Sequence, residues 1–248
     1  MHAELAGGKI WFEDSGGTGV PLVLLHAGTG TTRMWLNQVP AFSKAGYRVI
    51  AYDRRGYGQS SPGNTVGADD LQALMDFLSL QKIHLLGTAA GGIVAFDFAL
   101  SHPGRLRSLI VANSIGGVQD PDYLELQERL RPRPQFDALP AEVRELGPSY
   151  RAANPEGVKK WIELENPGPM QKVQTRNRIT FSALEGIKTP TLLLTGDADL
   201  YTPPAVLSLF KNRIRHAQAR IVAACGHSAY WEQPEVFNRE VLEFLAVF

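Results

Sequence analysis

Four short stretches of this chain are apolar at every position: Leu22-Val23-Leu24-Leu25, Leu109-Ile110-Val111-Ala112, Leu192-Leu193-Leu194 and Ile221-Val222-Ala223-Ala224. A strand with one wet face alternates apolar and polar residues. An unbroken run instead suits a strand buried on both faces, as in a parallel sheet covered by helices on each side. Val49-Ile50-Ala51-Tyr52 and Ile83-His84-Leu85-Leu86 fit the same role. Between the runs lie helical patterns. Leu71, Leu74, Met75 and Leu78 fall at i, i+3, i+4 and i+7, and Phe237, Val241, Phe244 and Phe248 mark a closing helix. Strand–helix–strand alternation with right-handed crossovers predicts an α/β fold, a mostly parallel doubly wound sheet with helices on both faces.

The alternation breaks between Gly117 and Gly186. That stretch holds Pro121, Pro132, Pro134, Pro140, Pro148, Pro155, Pro167 and Pro169, half of the chain's 16 prolines, and has no buried-strand signature. It reads as an inserted helical lid at 117–186, with residues 1–116 and 187–248 forming the core domain. Lys+Arg 25 balance Asp+Glu 25, which argues against a nucleic-acid partner, because phosphate binding draws on a cationic surplus. The single cysteine, Cys225, excludes an internal disulfide framework and a cysteine-based zinc site. There is no HExxH and the six histidines are scattered, so no metal and no cofactor is expected. No apolar run approaches the roughly 18 residues of a spanning helix, and Met1 to Ile10 lacks a basic segment followed by an apolar one. The expectation is a cytoplasmic protein acting on a small molecule, with no membrane partner.

Three glycine-bearing turns follow strand candidates, where parallel sheets place their chemistry. His26-Ala27-Gly28-Thr29-Gly30 admits a dinucleotide reading, with Asp53 ending the next strand to hold a ribose. Arg33 stands where the third glycine belongs, however, and a strand candidate, Lys9 to Glu13, lies upstream of where that fold begins. Gly87-Thr88-Ala89-Ala90-Gly91-Gly92 lies between a strand and a helix ending near His102-Pro103, the context of a G-x-S-x-G nucleophile elbow, but its centre is Ala89. The third turn, Thr195-Gly196-Asp197-Ala198-Asp199, is followed after one more strand by Cys225-Gly226-His227. Nucleophile position, acid and histidine therefore come in the order of a triad, with the histidine as base and a carboxylate to orient it.

With these residues in view, the chain resembles the α/β-hydrolase family over nearly its full length. The likeness rests on Leu24-Leu25-His26-Ala27-Gly28, Tyr52-Asp53-Arg54-Arg55-Gly56-Tyr57-Gly58-Gln59-Ser60 and Gly87-Thr88-Ala89-Ala90-Gly91-Gly92. It continues in Gly196-Asp197-Ala198-Asp199 with Pro203-Pro204, and in Gly226-His227 with Trp231-Glu232. The compact lid-bearing members are the most similar: enol-lactonases, C–C bond hydrolases and small esterases. The resemblance implies Asp199 as the triad acid, with Asp197 as the alternative, His227 as the base and Ala89 at the serine position. It implies an oxyanion hole from the backbone N–H groups of Gly28 and Ala90, in a cavity that Ala27, where the family commonly has glycine, narrows.

Other candidates have plainer readings. His84 lies mid-strand as a core histidine; His2, His102 and His216 are expected in solvent; His26 props the oxyanion turn. Asp53, Arg54 and Ser60 match the family's structural turn, Thr88 points away from where Ala89 points, and Cys225 packs. Trp35, Tyr230 and Trp231 belong to core or pocket lining. Ala89 leaves the function open. It fits a serine hydrolase whose nucleophile has been replaced, so that acyl transfer is disabled. It also fits a native alanine, with His227 and Asp199 as a dyad for lyase, water-activating or cofactor-free oxygenase chemistry, or a small-molecule binding protein without turnover.

Overall fold

The computed structural model describes residues 1–164 and 172–248. Its described strands are β1 (His2–Leu5), β2 (Gly8–Asp14), β3 (Pro21–Leu25), β4 (Arg48–Tyr52), β5 (Ile83–Thr88), β6 (Leu106–Ala112), β7 (Thr191–Gly196) and β8 (Gln218–Val222). They form one sheet in the order β1-β2-β4-β3-β5-β6-β7-β8. The β1–β2 and β2–β4 pairs are antiparallel, and every pair from β4 to β8 is parallel. The helices are α1 (Gln38–Lys44), α2 (Gly67–Phe77), α3 (Ala90–Ser101), α4 (Pro121–Leu130), α5 (Ala141–Glu145), α6 (Pro148–Ala153), α7 (Pro155–Leu164), α8 (Phe181–Leu184), α9 (Pro204–Arg213), α10 (Ala229–Glu232) and α11 (Pro234–Leu245). None is long and apolar enough to cross a membrane.

The all-apolar runs are explained by two cores. In β3, Val23 and Leu25 join the layer containing Leu71, Leu74 and Met75 of α2 and Phe96 and Phe98 of α3. Leu22 and Leu24 join the layer containing Phe42 of α1 and Phe237 and Val241 of α11. Leu109 and Val111 of β6 likewise face one layer, Ile110 and Ala112 the other. Each residue leaves water whichever way it points, so neither face selects a polar side chain.

One expectation needs correction at a sheet edge, and another at the closing helix. The run Ile221 to Ala224 is not a doubly buried strand: β8 ends at Val222, and Ile221 is 55% exposed. As the edge strand it pairs only with β7, so one flank lies open to solvent. At the other edge β1 has one fully buried residue, Ala3, too little pattern to read from the sequence. Phe248, assigned to the closing helix, lies beyond the end of α11 and is half exposed.

Between β6 and β7 the described chain contains helices only, α4 to α8. Several of the prolines that break the strand rhythm start helices. Pro121, Pro148 and Pro155 open α4, α6 and α7, where a fixed φ fits and the absent N–H has no partner to lose. Pro167 and Pro169 lie outside the described residues. The returning chain is tied to the core by Asp97 of α3. Its fully buried carboxylate accepts from the backbone N–H groups of Arg176 (2.8 Å) and Asn177 (2.9 Å) and from Asn177 Nδ2 (2.8 Å). Asp97→Ala strands these donors, and the expected loss of unfolding free energy in a denaturant titration is about 3 kcal/mol. A loss below about 1 kcal/mol would remove Asp97 as the tether.

Candidate active site

The site begins at the β5–α3 turn. Ala89 takes φ 48° and ψ −115°, a region that costs a residue with a side chain about 1–3 kcal/mol and survives only where the surroundings enforce it. Here its N–H donates to the Ala112 carbonyl (3.0 Å), and its carbonyl accepts from Gly92 N–H (3.0 Å) and the Ser114 hydroxyl (2.6 Å). The flanking glycines are steric requirements. A Cβ on Gly87 would strike the Gly91 carbonyl, and one on Gly91 would strike the carbonyl oxygens of Leu25 and His26. The chain therefore has the sharp strand-to-helix elbow the sequence predicts, with a methyl group at its apex. Ala90 opens α3, so its N–H is one of the first-turn donors without an intrahelical partner.

Asp199 and His227 come from the loops after β7 and β8. His227 Nδ1 lies 2.9 Å from both carboxylate oxygens of Asp199, and the two side chains are almost wholly buried. A carboxylate only accepts, so Nδ1 carries the hydrogen and Nε2 keeps its lone pair. Asp199 is held by four further donors. Asn113 Nδ2 (3.0 Å) and the Thr195 hydroxyl (3.0 Å) reach Oδ2, while the N–H groups of Tyr201 (2.8 Å) and Thr202 (2.9 Å) reach Oδ1. Burial pushes its carboxyl upward, but the His227 imidazole and these donors outweigh that and leave it below the usual carboxylate range. For His227, burial pulls the imidazole down, and the Asp199 and Glu145 carboxylates outweigh it, leaving the ring raised above its ordinary value.

Asp197 has a different task. Its carboxylate accepts from the N–H groups of Ala224 (3.0 Å) and Cys225 (3.1 Å), closing the turn that leads to His227. Of the two candidate acids, the structure places Asp199 against the histidine.

A cavity of about 110 Å³ joins these parts. Ala27, Gly28, Ala89, Ala90, Tyr201 and His227 border it, with Ile93 and Ile115 as apolar walls. It also exposes a residue that sequence reasoning missed, Glu145 at the end of α5. Its backbone carbonyl accepts the His227 N–H (2.8 Å), and burial raises its carboxyl above the usual range. The His227 loop is further clamped by Glu232, whose carboxylate accepts from Gly147 (2.8 Å), Gly226 (3.0 Å) and Ser228 (3.2 Å) N–H groups. The Tyr201 ring lies over His227 with centroids 4.3 Å apart. Asn113 was also missed; its φ of 48° lets one side chain reach both Asp199 and the Gly226 carbonyl (3.2 Å).

The remaining candidates fall into place as scaffold. Asp53, the ribose candidate, is 1% exposed and spends its carboxylate on the N–H groups of Thr32 (2.7 Å) and Gln59 (2.9 Å), so the dinucleotide reading fails. His26 is wholly buried, with Nδ1 on the Ala27 carbonyl (2.7 Å) and Nε2 accepting Arg54 N–H (2.9 Å). His84 is a core residue bonded to Ser108 (2.8 Å). His102 corrects the expectation of solvation: it is half-buried, packed against Phe98 at the end of α3. His2 and His216 are exposed. Cys225 is buried, with its thiol pushed far up by burial, and Ser60 bonds its hydroxyl to the Asp53 carbonyl (2.5 Å). Thr88, Trp35, Tyr230 and Trp231 are core residues. Among the described residues no group of three or more His, Cys, Asp and Glu side chains is placed to hold a metal ion.

An elbow after the fifth strand, an acid–histidine pair on later strand-end loops and a run of helices between β6 and β7 together define a class, the α/β-hydrolase framework. The comparisons with known proteins agree with that class. The family model described as alpha/beta hydrolase fold matches residues 20–158. A 2-hydroxy-6-oxononadienedioate/2-hydroxy-6-oxononatrienedioate hydrolase of Burkholderia vietnamiensis is 32% identical over 96% of this chain and 91% of its own length. One from Comamonas testosteroni is 30% identical over the same shares. Among solved structures, a thermophilic esterase from Thermogutta terrifontis, with malate bound, superposes with a TM-score of 0.84 at 29% identity. That match covers 99% of this chain and 98% of the esterase. The enol-lactonase from Burkholderia xenovorans LB400 has the same fold, with a TM-score of 0.77 at 24% identity, covering 99% of this chain and 100% of the other. The chain belongs to the α/β-hydrolase fold family.

Proposed function

We propose that this chain is a hydrolase framework for a small carbonyl compound (an ester, a lactone or a ketone cleaved at a C–C bond), with Ala89 in the nucleophile's place. The observation that carries it is His227, held 2.9 Å from Asp199 and bordering one cavity with Ala89, Gly28 and Ala90. The curated relatives named as C–C bond hydrolases and the solved lactonase and esterase supply the substrate classes. In this chain acyl-enzyme formation is off, because Ala89 offers no oxygen. What remains is general-base chemistry. His227 Nε2 takes a proton from water, the hydroxide adds to the carbonyl, and the N–H groups of Gly28 and Ala90 receive the oxyanion. The proton then passes to the leaving group. Helices α4 to α8, in the insertion at 117–186, act as the lid over a core of 1–116 and 187–248. The test is Ala89→Ser assayed with a p-nitrophenyl ester: a large gain in hydrolysis supports the reading, and no gain overturns it.

Glu145 favours a second reading, in which alanine is native and the site works as an acid–base pair. Its buried carboxyl borders the same cavity as His227. Turnover in the Ala89 chain that His227→Ala abolishes supports this; turnover indifferent to that substitution rules it out.

The raised His227 sets the pH dependence. The base must be neutral, so activity of the Ala89→Ser form is lost as pH falls through a value above the ordinary 6.5. Asp199, Glu145 and Tyr201 face the ring and Arg131 acts on it from α4's end. Glu145→Gln removes one of the two carboxylates that hold the ring up, so the acidic limb of kcat/KM moves to lower pH. A limb that stays in place would show that Glu145 does not act on His227.

A further inference from the structure

A second cavity, of about 140 Å³, shares no lining residue with the one bordering Ala89. Among the described residues that line it, three side chains are cations, Arg54, Arg55 and Lys172, against one carboxylate, Asp70. That carboxylate is already engaged: Oδ1 accepts from Arg55 Nε (2.8 Å) and Oδ2 from the Thr65 hydroxyl (2.5 Å). Among the described residues Arg54 has no counter-charge. It is 7% exposed, its Nη2 donates to the Ala27 carbonyl (3.1 Å), and its guanidinium also hydrogen-bonds the Tyr57 side chain. Its guanidinium carbon stands 4.6 Å from the centre of the Tyr57 ring, and its buried Nε has no hydrogen-bond partner. No carboxylate among the described residues forms an ion pair with it, whereas the equally buried Arg55 has Asp70. A carbonyl dipole and a neutral tyrosine, through its ring face and a hydrogen bond, offset only part of the cost of burying a full charge, and buried charges are ordinarily paired.

We propose that this cavity binds a small oxyanion, a carboxylate or a phosphate, which supplies the missing counter-charge to Arg54. The guanidinium's planar fork suits a two-oxygen acceptor, and Lys172 at the exposed rim adds a point charge to draw the anion in. The site is distinct from the catalytic cavity but adjoins its frame. Arg54 donates its N–H to His26 Nε2 and its Nη2 to Ala27, the residue before the proposed oxyanion donor Gly28.

The test is calorimetric titration of the unmodified chain with malonate and, separately, with inorganic phosphate, at ionic strength fixed with sodium chloride. Saturable one-to-one binding of either is expected. Malonate alone marks a carboxylate site, phosphate alone a phosphate site, and both a general oxyanion site. Arg54→Met should weaken binding at least 30-fold and Lys172→Met about threefold, while His227→Ala should leave it unchanged. Absence of saturable binding to both anions, or binding that survives Arg54→Met, overturns the proposal. Loss of binding in His227→Ala overturns it too, because the anion would then sit in the catalytic cavity. Should Arg54→Met fail to fold, an unchanged affinity in Lys172→Met is the overturning result.

Discussion

Ala89→Ser is expected to raise the hydrolysis of p-nitrophenyl acetate by about 10³-fold or more. In a serine protease, loss of a triad serine costs about 2 × 10⁶ in kcat and leaves roughly 10³–10⁴ over water from the oxyanion hole and binding. The reverse step should recover a large share of that range here because nothing else has to move. The elbow backbone already holds φ 48° and ψ −115°, fixed by bonds to Ala112, Gly92 and Ser114. A serine Cβ takes the place of the existing methyl, so the new hydroxyl enters a turn whose strain is already met. His227 is likewise in its working tautomer, with Nδ1 committed to Asp199. A gain of 10³ corresponds to about 4 kcal/mol of transition-state stabilisation, far above what a hydroxyl adds by polarity alone. A gain below tenfold would mean that the cavity does not present an ester to the elbow, and the hydrolase reading would fall.

The sheet was readable because its central strands are buried twice. Leu22 to Leu25 and Leu109 to Ala112 lie between two helix layers, so their pattern carries no competing demand from solvent. The same reasoning misread Ile221, because the apolar letters of an edge strand look alike whether or not a helix covers them. The elbow could be read because its glycines are dictated by backbone contacts, Gly87 by the Gly91 carbonyl and Gly91 by the carbonyls of Leu25 and His26. Asp199 could not be separated from Asp197 in the same way. Both sit on one loop, and only their hydrogen bonds divide them, to His227 in one case and to the turn at Ala224 and Cys225 in the other. Glu145 was invisible for a deeper reason. It arrives from the helical segment between β6 and β7, where no strand-end rule applies. Its place is set by long-range bonds, its own carbonyl to His227 N–H and Glu232 to Gly147 N–H.

Asp199→Asn in the Ala89→Ser background is expected to lower kcat by about 10⁴, close to the loss known for the corresponding change in a serine protease. The cause is the tautomer. The Asp199 carboxylate compels His227 to carry its hydrogen on Nδ1; an amide can turn its NH₂ toward the ring instead, making Nδ1 the acceptor and placing the hydrogen on Nε2. The neighbours favour that outcome. Asn113, Thr195 and the N–H groups of Tyr201 and Thr202 all donate toward residue 199, so the one remaining carbonyl oxygen is claimed by them and the NH₂ is left for the histidine. A factor of 10⁴ is about 5.4 kcal/mol, several times a single neutral hydrogen bond, so weakened packing alone cannot produce it. Asp197→Asn is the matched control. An amide oxygen still accepts from one of the Ala224 and Cys225 N–H groups and only the other bond is lost, so kcat should stay within about tenfold of the Ala89→Ser parent. If the two substitutions cost the same, or Asp197→Asn costs more, Asp199 is not the group that orients His227. A fall in kcat with the melting temperature unchanged separates the tautomer effect from unfolding, because charge removal at a site with five donors would otherwise lower both.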